Sequence, residues 1–457
     1  MLKRALDNRR RWLSICLLLV MPVTAYGWQF ELQQGDVETA LPDIAGEGWA
    51  VTGLRLALTD TKVNIDASGP GALPANTRVS GGVRLTISEI RHAALKPQRW
   101  DFNGEATGTL ADIRLEGQLR SEEGLVADVI LHTAVDGRIN DGRLSIRIGA
   151  EQAATVLRRT LADWPEFMEL SEGSLDLQAR VQLRPDAPMV LHGRLDLDNV
   201  SALIDRTALS GVSGHLLFSL EGEQLTARLR EVNIGQINSG IGIGPVQLLA
   251  DYRAPRDDLL AGALDIQQAT AEFLDGQVRV APGTLDLGHR PLQVPLAAYE
   301  LSLERLLEVY PAQGFAGTGR ISGQIPLAIG EHGLTVEDGH VQALSPGGRL
   351  RLPAERLQGM LGTSAASELV TRALQNFHYS VLNSTIDYDE SGRLTLGLRL
   401  EGNNPEVGRG QPVALNINLE EDIPALLTSL QLSGRVNEAV AERVRERLEQ
   451  TGQEGTP

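Results

Sequence analysis

Arg393-Leu-Thr-Leu-Gly-Leu-Arg-Leu400 and, after a short break, Ala414-Leu-Asn-Ile-Asn-Leu-Glu420 alternate aliphatic with polar residues one for one. Successive side chains on a strand point to opposite faces, so this spacing predicts two strands, each with one aliphatic and one polar edge. The same alternation recurs upstream in Gly81-Gly-Val-Arg-Leu-Thr-Ile-Ser88, Arg143-Leu-Ser-Ile-Arg-Ile148, Ser174-Leu-Asp-Leu-Gln-Ala-Arg-Val-Gln-Leu183 and Arg194-Leu-Asp-Leu-Asp198. Almost nothing between these segments has a helical period long enough to cover so much aliphatic surface. The expected fold is mostly β, an antiparallel-rich sheet with a few short amphipathic helices. Candidate residues for a shared aliphatic face are Val83, Leu85, Ile87, Leu144, Ile146, Ile148, Leu175, Leu177, Leu394, Leu396, Leu398, Leu400, Leu415, Ile417 and Leu419.

Composition fits this reading. The chain of 457 residues holds 48 glycines, and Asp, Asn and Pro join them between the strands, which supplies turns at short spacing. Aromatic residues make up only 4%, so the apolar face is built from Leu, Ile, Val and Ala. A formal net charge of −17, with no basic stripe, excludes nucleic acid as a partner, because phosphate binding needs clustered Lys and Arg. Cys16 is the single cysteine, so no disulfide and no thiolate metal site can form within the chain.

Lys3, Arg4 and Arg9-Arg10-Arg11 precede an apolar block from Trp12 to Val23, and Ala25-Tyr-Gly27 then places small residues where a signal peptidase reads. Residues 1–27 are expected to be a secretory signal cleaved after Gly27 or, if retained, a membrane anchor with its basic end in the cytoplasm. Residues 28–290 form a repetitive β-rich region with a helix near 151–170, where Ala154, Leu157, Leu161, Trp164 and Phe167 make one apolar stripe. In residues 291–448, short helices over Leu301–Tyr310 and Ser364–Gln375 interrupt the strands, and two more helices, Pro424–Leu432 and Val436–Leu448, close the region. Residues 449–457 read as a disordered tail. Strand, glycine turn and strand recur without a fixed period, as in a sheet that grows along one axis. About twenty strands at roughly 4.8 Å each would make it on the order of 100 Å long.

No enzyme signature stands out. The eight histidines are scattered. His332 and His340 lie beside Glu331, Glu337 and Asp338, but Gly333 and Gly339 mark turns, and solvated loop charge accounts for the group without a metal. Gly211-Val-Ser-Gly214 lacks the spacing of a nucleophile elbow, and Ser345-Pro-Gly-Gly-Arg349 is a turn without the lysine of a phosphate loop. Neighbouring carboxylates such as Asp387 with Asp389, or Glu420 with Glu421 and Asp422, stand where strand ends and helix starts expect acids. Neither a catalytic residue nor a metal or cofactor is expected. Asn403-Asn-Pro-Glu-Val407 reads as a turn or an edge irregularity.

Several blocks of the C-terminal third, in order, resemble the YdbH-like family of Gram-negative envelope proteins, related in architecture to the AsmA-like and TamB-like bridge proteins. They are Gly317-Thr-Gly-Arg-Ile-Ser-Gly-Gln-Ile-Pro-Leu327, Gly333-Leu-Thr-Val-Glu-Asp-Gly-His-Val341, Ser345-Pro-Gly-Gly-Arg-Leu350, Leu374-Gln-Asn-Phe-His-Tyr379, Ile386-Asp-Tyr-Asp-Glu-Ser-Gly-Arg-Leu394, Leu400-Glu-Gly-Asn-Asn-Pro-Glu-Val407 and the run from Leu415 to Ser433. The resemblance covers Pro291 to Leu448; before that only the texture agrees. It implies an elongated, curved sheet folded into an open gutter that conducts phospholipid between inner and outer membranes, with the fifteen residues above as its lining. It also implies a small outer-membrane lipoprotein at the C-terminal sheet edge, a periplasmic accessory protein, and residence in the periplasm. Two alternatives stay open: a structural envelope protein whose aliphatic face closes into a β core, and a dicarboxylate-transport component. Relatives of this kind are longer than this chain.

Overall fold

A computed structural model describes residues 29–422 apart from residues 35, 47–48, 67–76, 134–138, 163, 166–167, 183–189, 206, 240, 259–260, 310–315, 331–332, 355–364 and 408–409. The N-terminal segment, Phe167, His332, the two C-terminal helices and the tail expected above lie outside the described residues. The chain divides into two compact units, residues 1–205 with 213–228, and residues 206–212 with 229–457.

In the first unit the strands are β1 (Gln29–Gln34), β2 (Val37–Ala40), β3 (Ile44–Gly46), β4 (Trp49–Thr52), β5 (Arg55–Asp66), β6 (Thr77–Ile87), β7 (Glu89–His92), β8 (Trp100–Thr109), β9 (Asp112–Ser121), β10 (Val126–Thr133) and β11 (Ile139–Gly149). Helix α1 (Ala150–Thr160) follows, then β12 (Met168–Gln182) and β13 (Val190–Ile204). β1 and β2 share the outer side of β5, and the ladder then runs antiparallel through β6, β8, β9, β10, β11, β12 and β13. β3, β4 and β7 form a separate small sheet. Most neighbours in the ladder also follow one another in sequence, the low-cost order for antiparallel pairs.

β14 (Thr207–Glu221) and β15 (Gln224–Ile234) each contribute to both units. In the second unit come β16 (Gln236–Asn238), β17 (Gly242–Ile243), β18 (Val246–Pro255), β19 (Ala263–Phe273), β20 (Gly276–Val280), β21 (Gly283–Asp286) and β22 (Leu292–Ser302). Helix α2 (Leu303–Val309) precedes β23 (Ala316–Thr318), β24 (Arg320–Ile329), β25 (Leu334–Ala343) and β26 (Gly348–Arg351). Helix α3 (Ala365–Leu374) then leads to β27 (Phe377–Tyr388), β28 (Arg393–Asn403) and β29 (Val413–Asp422). Antiparallel pairing runs β18, β19, β20, β22, β24, β25, β27, β28, β29, with β21 completing the far half of β19 and β26 pairing both β23 and β27. The chain is thus mostly β and antiparallel, with few helices, as the alternation predicts.

The helix expected near 151–170 is shorter. α1 ends at Thr160, whose carbonyl accepts from Lys96 N at 2.9 Å, while Leu161 bridges to Leu95. Lys96 Nζ also reaches the Arg158 carbonyl at 2.8 Å, so a neighbouring segment satisfies the orphan acceptors that a longer helix would have covered. Its buried face is Ala150, Ala153, Ala154 and Val156 rather than the large residues of the predicted stripe. Small side chains let the helix lie close on β12. α2 likewise starts at Leu303, because Leu301 and Ser302 still pair with β24.

Candidate functional site

Directly opposed residues in an antiparallel ladder share a face, so register converts alternation along strands into rows across them. In the first unit one row runs Leu58, Val83, Gly104, Gly117, Val129, Leu144, Ala179, Gly193. Beside it on one flank lie Leu56, Leu85, Phe102, Leu119, Ala127, Ile146, Leu177 and Leu195, and on the other Ala106, Leu115, Leu131, Val181 and Leu191. Ile148, Leu175 and Leu197 make the next row, and Ile87 opposes Trp100. The eight predicted positions of this unit therefore fall on one face. Where the chain thins to glycine, the backbones close up: a Cβ on Gly104 would stand 2.2 Å from the Glu116 carbonyl oxygen.

In the second unit a row crosses nine strands: Val246, Ala271, Val278, Ala298, Gly323, Val341, Ser384, Leu398, Ile417. At about 4.8 Å per strand it extends roughly 38 Å. Leu382, Leu400 and Leu415 flank it on one side, and Ile386, Leu396 and Leu419 on the other. Leu394 opposes Tyr388 and Glu421, so there the aliphatic row ends. Ser384 interrupts the main row with a hydroxyl that donates to the Thr385 carbonyl, so it presents no unsatisfied donor.

Burial grades along this face. Leu400 is completely buried, in one cluster with Leu374 of α3 and Phe377, and Ile417 and Leu382 are 8% and 6% exposed in the same cluster. Leu394, Leu396, Leu398 and Leu415 are only half-buried. In the first unit Val83 and Ile87 are buried, whereas Leu85, Leu144, Ile146, Ile148, Leu175 and Leu177 are half-buried. In the second unit the face is thus covered in the cluster that includes Leu374 of α3 and less covered at Leu394 and Leu396. The side chain of Leu419 lies outside the described residues.

The opposite face is polar. Arg114 pairs with Glu116 at 2.7 Å, Arg180 with Asp141 at 2.8 Å, Arg194 with Asp196 at 2.8 Å and Arg399 with Glu401 at 2.6 Å. Each is solvent-exposed and contributes little stability, but together they keep the outer face soluble. Hydrogen bonding from Arg194, with His215 on the other side, holds the Asp196 carboxyl below the usual carboxylate range.

Two residues in the C-terminal blocks do structural work that sequence reasoning missed. Asn404, 3% exposed, donates through Nδ2 to the Arg372 carbonyl at 2.9 Å and the Ala373 carbonyl at 3.2 Å, while its Oδ1 accepts from Glu406 N at 2.9 Å. The expected turn is present, and its asparagine also caps α3. Tyr379, 2% exposed, donates its hydroxyl to the Thr318 carbonyl at 2.7 Å, and burial raises its pKa. Among the described residues no group of three His, Cys, Asp or Glu side chains is placed to hold a metal, and no helix is long and apolar enough to cross a membrane.

Fold and site together define a mostly antiparallel β protein whose strands line up aliphatic rows on one face. The chain belongs to the YdbH-like family: that family's sequence model, described as intermembrane phospholipid transport protein YdbH, matches residues 23–445, a wider span than Pro291 to Leu448. Intermembrane transport sets the family in the cell envelope. No curated protein and no solved structure matched the chain.

Proposed function

We propose that the aliphatic face is an open groove along which phospholipid tails move between the inner and outer membranes. The observation that carries this reading is the half-buried state of Leu396 and Leu398, the first in register with Ile386 and Leu419 and the second with Ile417 on the strands beside them. A closed core would bury such leucines as it buries Leu400. Each acyl CH₂ placed on this face gains about 0.8 kcal/mol, so tails can be held without a residue dedicated to them. Half-burial also suits transfer, because a lipid that is only partly covered can leave.

Under this reading the fifteen candidate positions divide by role. The half-buried ones contact the tails, and Leu400 and Ile417 form the floor beneath α3. The protein works in the periplasm of a Gram-negative envelope, held at the inner membrane if its N-terminal segment is retained. A small outer-membrane lipoprotein pairing with the edge of β29 that faces away from β28 and a periplasmic accessory protein complete the path.

The test is the lipid content of protein extracted gently from envelopes and analysed by native mass spectrometry. Co-purifying phospholipid, displaced by added lipid, is the expected result. Lipid-free protein that acquires none on incubation with vesicles would support the closed scaffold instead.

A further inference from the structure

An open cavity of about 1010 Å³ lies in the second unit at the tip of the β19–β20 hairpin. Its walls are of two kinds. Phe273 and Leu274 line it and also pack against the buried cluster of the aliphatic face, so the cavity adjoins that face at its rim. The other wall is charged. Register aligns Glu272 with Gln277 and Gln277 with Tyr299, on the side opposite Val278 and Ala298. The Arg279 guanidinium lies over the Tyr299 ring, 4.8 Å from its centre, and donates to Gln277 Oε1 at 2.6 Å.

Charge matching in the cavity is uneven. Arg305 is already paired, with Asp275 at 3.3 Å and Glu308 at 2.7 Å. Arg279, Glu272 and Glu300 have no ion-pair partner among the described residues. Arg320 donates to the carbonyls of Asp275 at 2.9 Å and Glu300 at 2.7 Å, which fixes a rim where both residues take positive φ. The result is an amphipathic recess with one unmatched cation, two unmatched carboxylates and an apolar side wall.

A ligand suited to it carries a phosphate, a nearby ammonium and a hydrocarbon tail. The phosphate matches Arg279, the ammonium matches Glu272 and Glu300, and the tail continues past Phe273 and Leu274. A headgroup with phosphate but no amine would leave both carboxylates uncompensated. We infer that this cavity seats the headgroup of a zwitterionic aminophospholipid and biases the groove toward that class. The inference rests on the lipid-carrying reading above.

The experiment incubates the full chain with vesicles of equal phosphatidylethanolamine and phosphatidylglycerol, re-isolates it and quantifies bound lipid by mass spectrometry. The native chain should enrich phosphatidylethanolamine severalfold, less so as salt screens these exposed charges. Glu272→Gln with Glu300→Gln should bring the ratio near one, and Glu272→Gln alone, on a regular exposed strand position, should move it part of the way. Glu390→Gln, in a distant exposed turn, should leave it as in the native chain. Equal uptake of both lipids by the native chain, or a ratio that both Glu272 variants leave unchanged, overturns the headgroup site. Failure to acquire either lipid overturns the lipid-carrying reading itself.

Discussion

Leu400 and Leu396 occupy the same strand and the same face, one row apart from Leu398 on either side, yet Leu400 is completely buried and Leu396 half-buried. Truncating each to alanine therefore separates a packed core from an open face within one element. In Leu400→Ala the lost transfer energy adds to a cavity that Leu374 and Phe377 cannot fill, for a cost of about 3–5 kcal/mol. In Leu396→Ala water reaches the space, the cavity contribution falls away, and only the transfer of the partly covered side chain is at stake, for a cost of roughly 1–2 kcal/mol. With a urea dependence of about 3 kcal/mol per molar, the midpoint should fall by about 1 M or more for Leu400→Ala and by about 0.3–0.6 M for Leu396→Ala. Urea titration of the lipid-free chain, followed by circular dichroism, reads both. Equal midpoint losses of the larger size would mean that Leu396 is packed as tightly as Leu400 and would refute an open face at that row.

Asn404→Ala removes two donors from the α3 carbonyls and should cost about 1–3 kcal/mol, with faster amide hydrogen exchange across Val370 to Leu374. Gly104→Ala forces a methyl against the Glu116 carbonyl oxygen and should destabilise the first unit by about 1–3 kcal/mol in thermal melts. Asp196 has its carboxyl held low by Arg194, so its contribution to stability is complete above the ordinary carboxylate pKa and is lost as pH falls through the depressed folded value. Asp196→Asn should thus lower stability at neutral pH and flatten the acid limb of a stability-against-pH curve; an unchanged acid limb would contradict the assignment.

The rows, more than the strands, mark the boundary of what the sequence discloses. Alternation in 393–400 and 414–420 is local, so the strand and its aliphatic edge can be read directly. That Leu398 stands between Ser384 and Ile417 depends on register, which turns and bulges such as those at Tyr379/Val381 and Val336/Gly339 set from a distance. Leu396 and Leu400 are indistinguishable by pattern; membership in the buried cluster with Leu374 and Phe377 makes them differ. The stripe from Ala154 to Phe167 has a valid helical period, yet Lys96 captures the end of α1 from sixty residues upstream. Asn404 reads as a turn residue, and only its contact with Arg372 and Ala373 discloses the cap. The charged recess joins residues from β19, β20, β22 and α2, none of which forms a motif in the sequence.

The most direct test of an open aliphatic face is site-specific photocrosslinking in intact envelopes, with the photoreactive side chain placed in turn at Leu394, Leu396 and Leu398 and, as the control, at Arg399 on the polar side of the same strand. Phospholipid adducts from the three leucine positions and none from Arg399 are what this account predicts. No adduct from any leucine position, or equal adducts from both faces of β28, would contradict it.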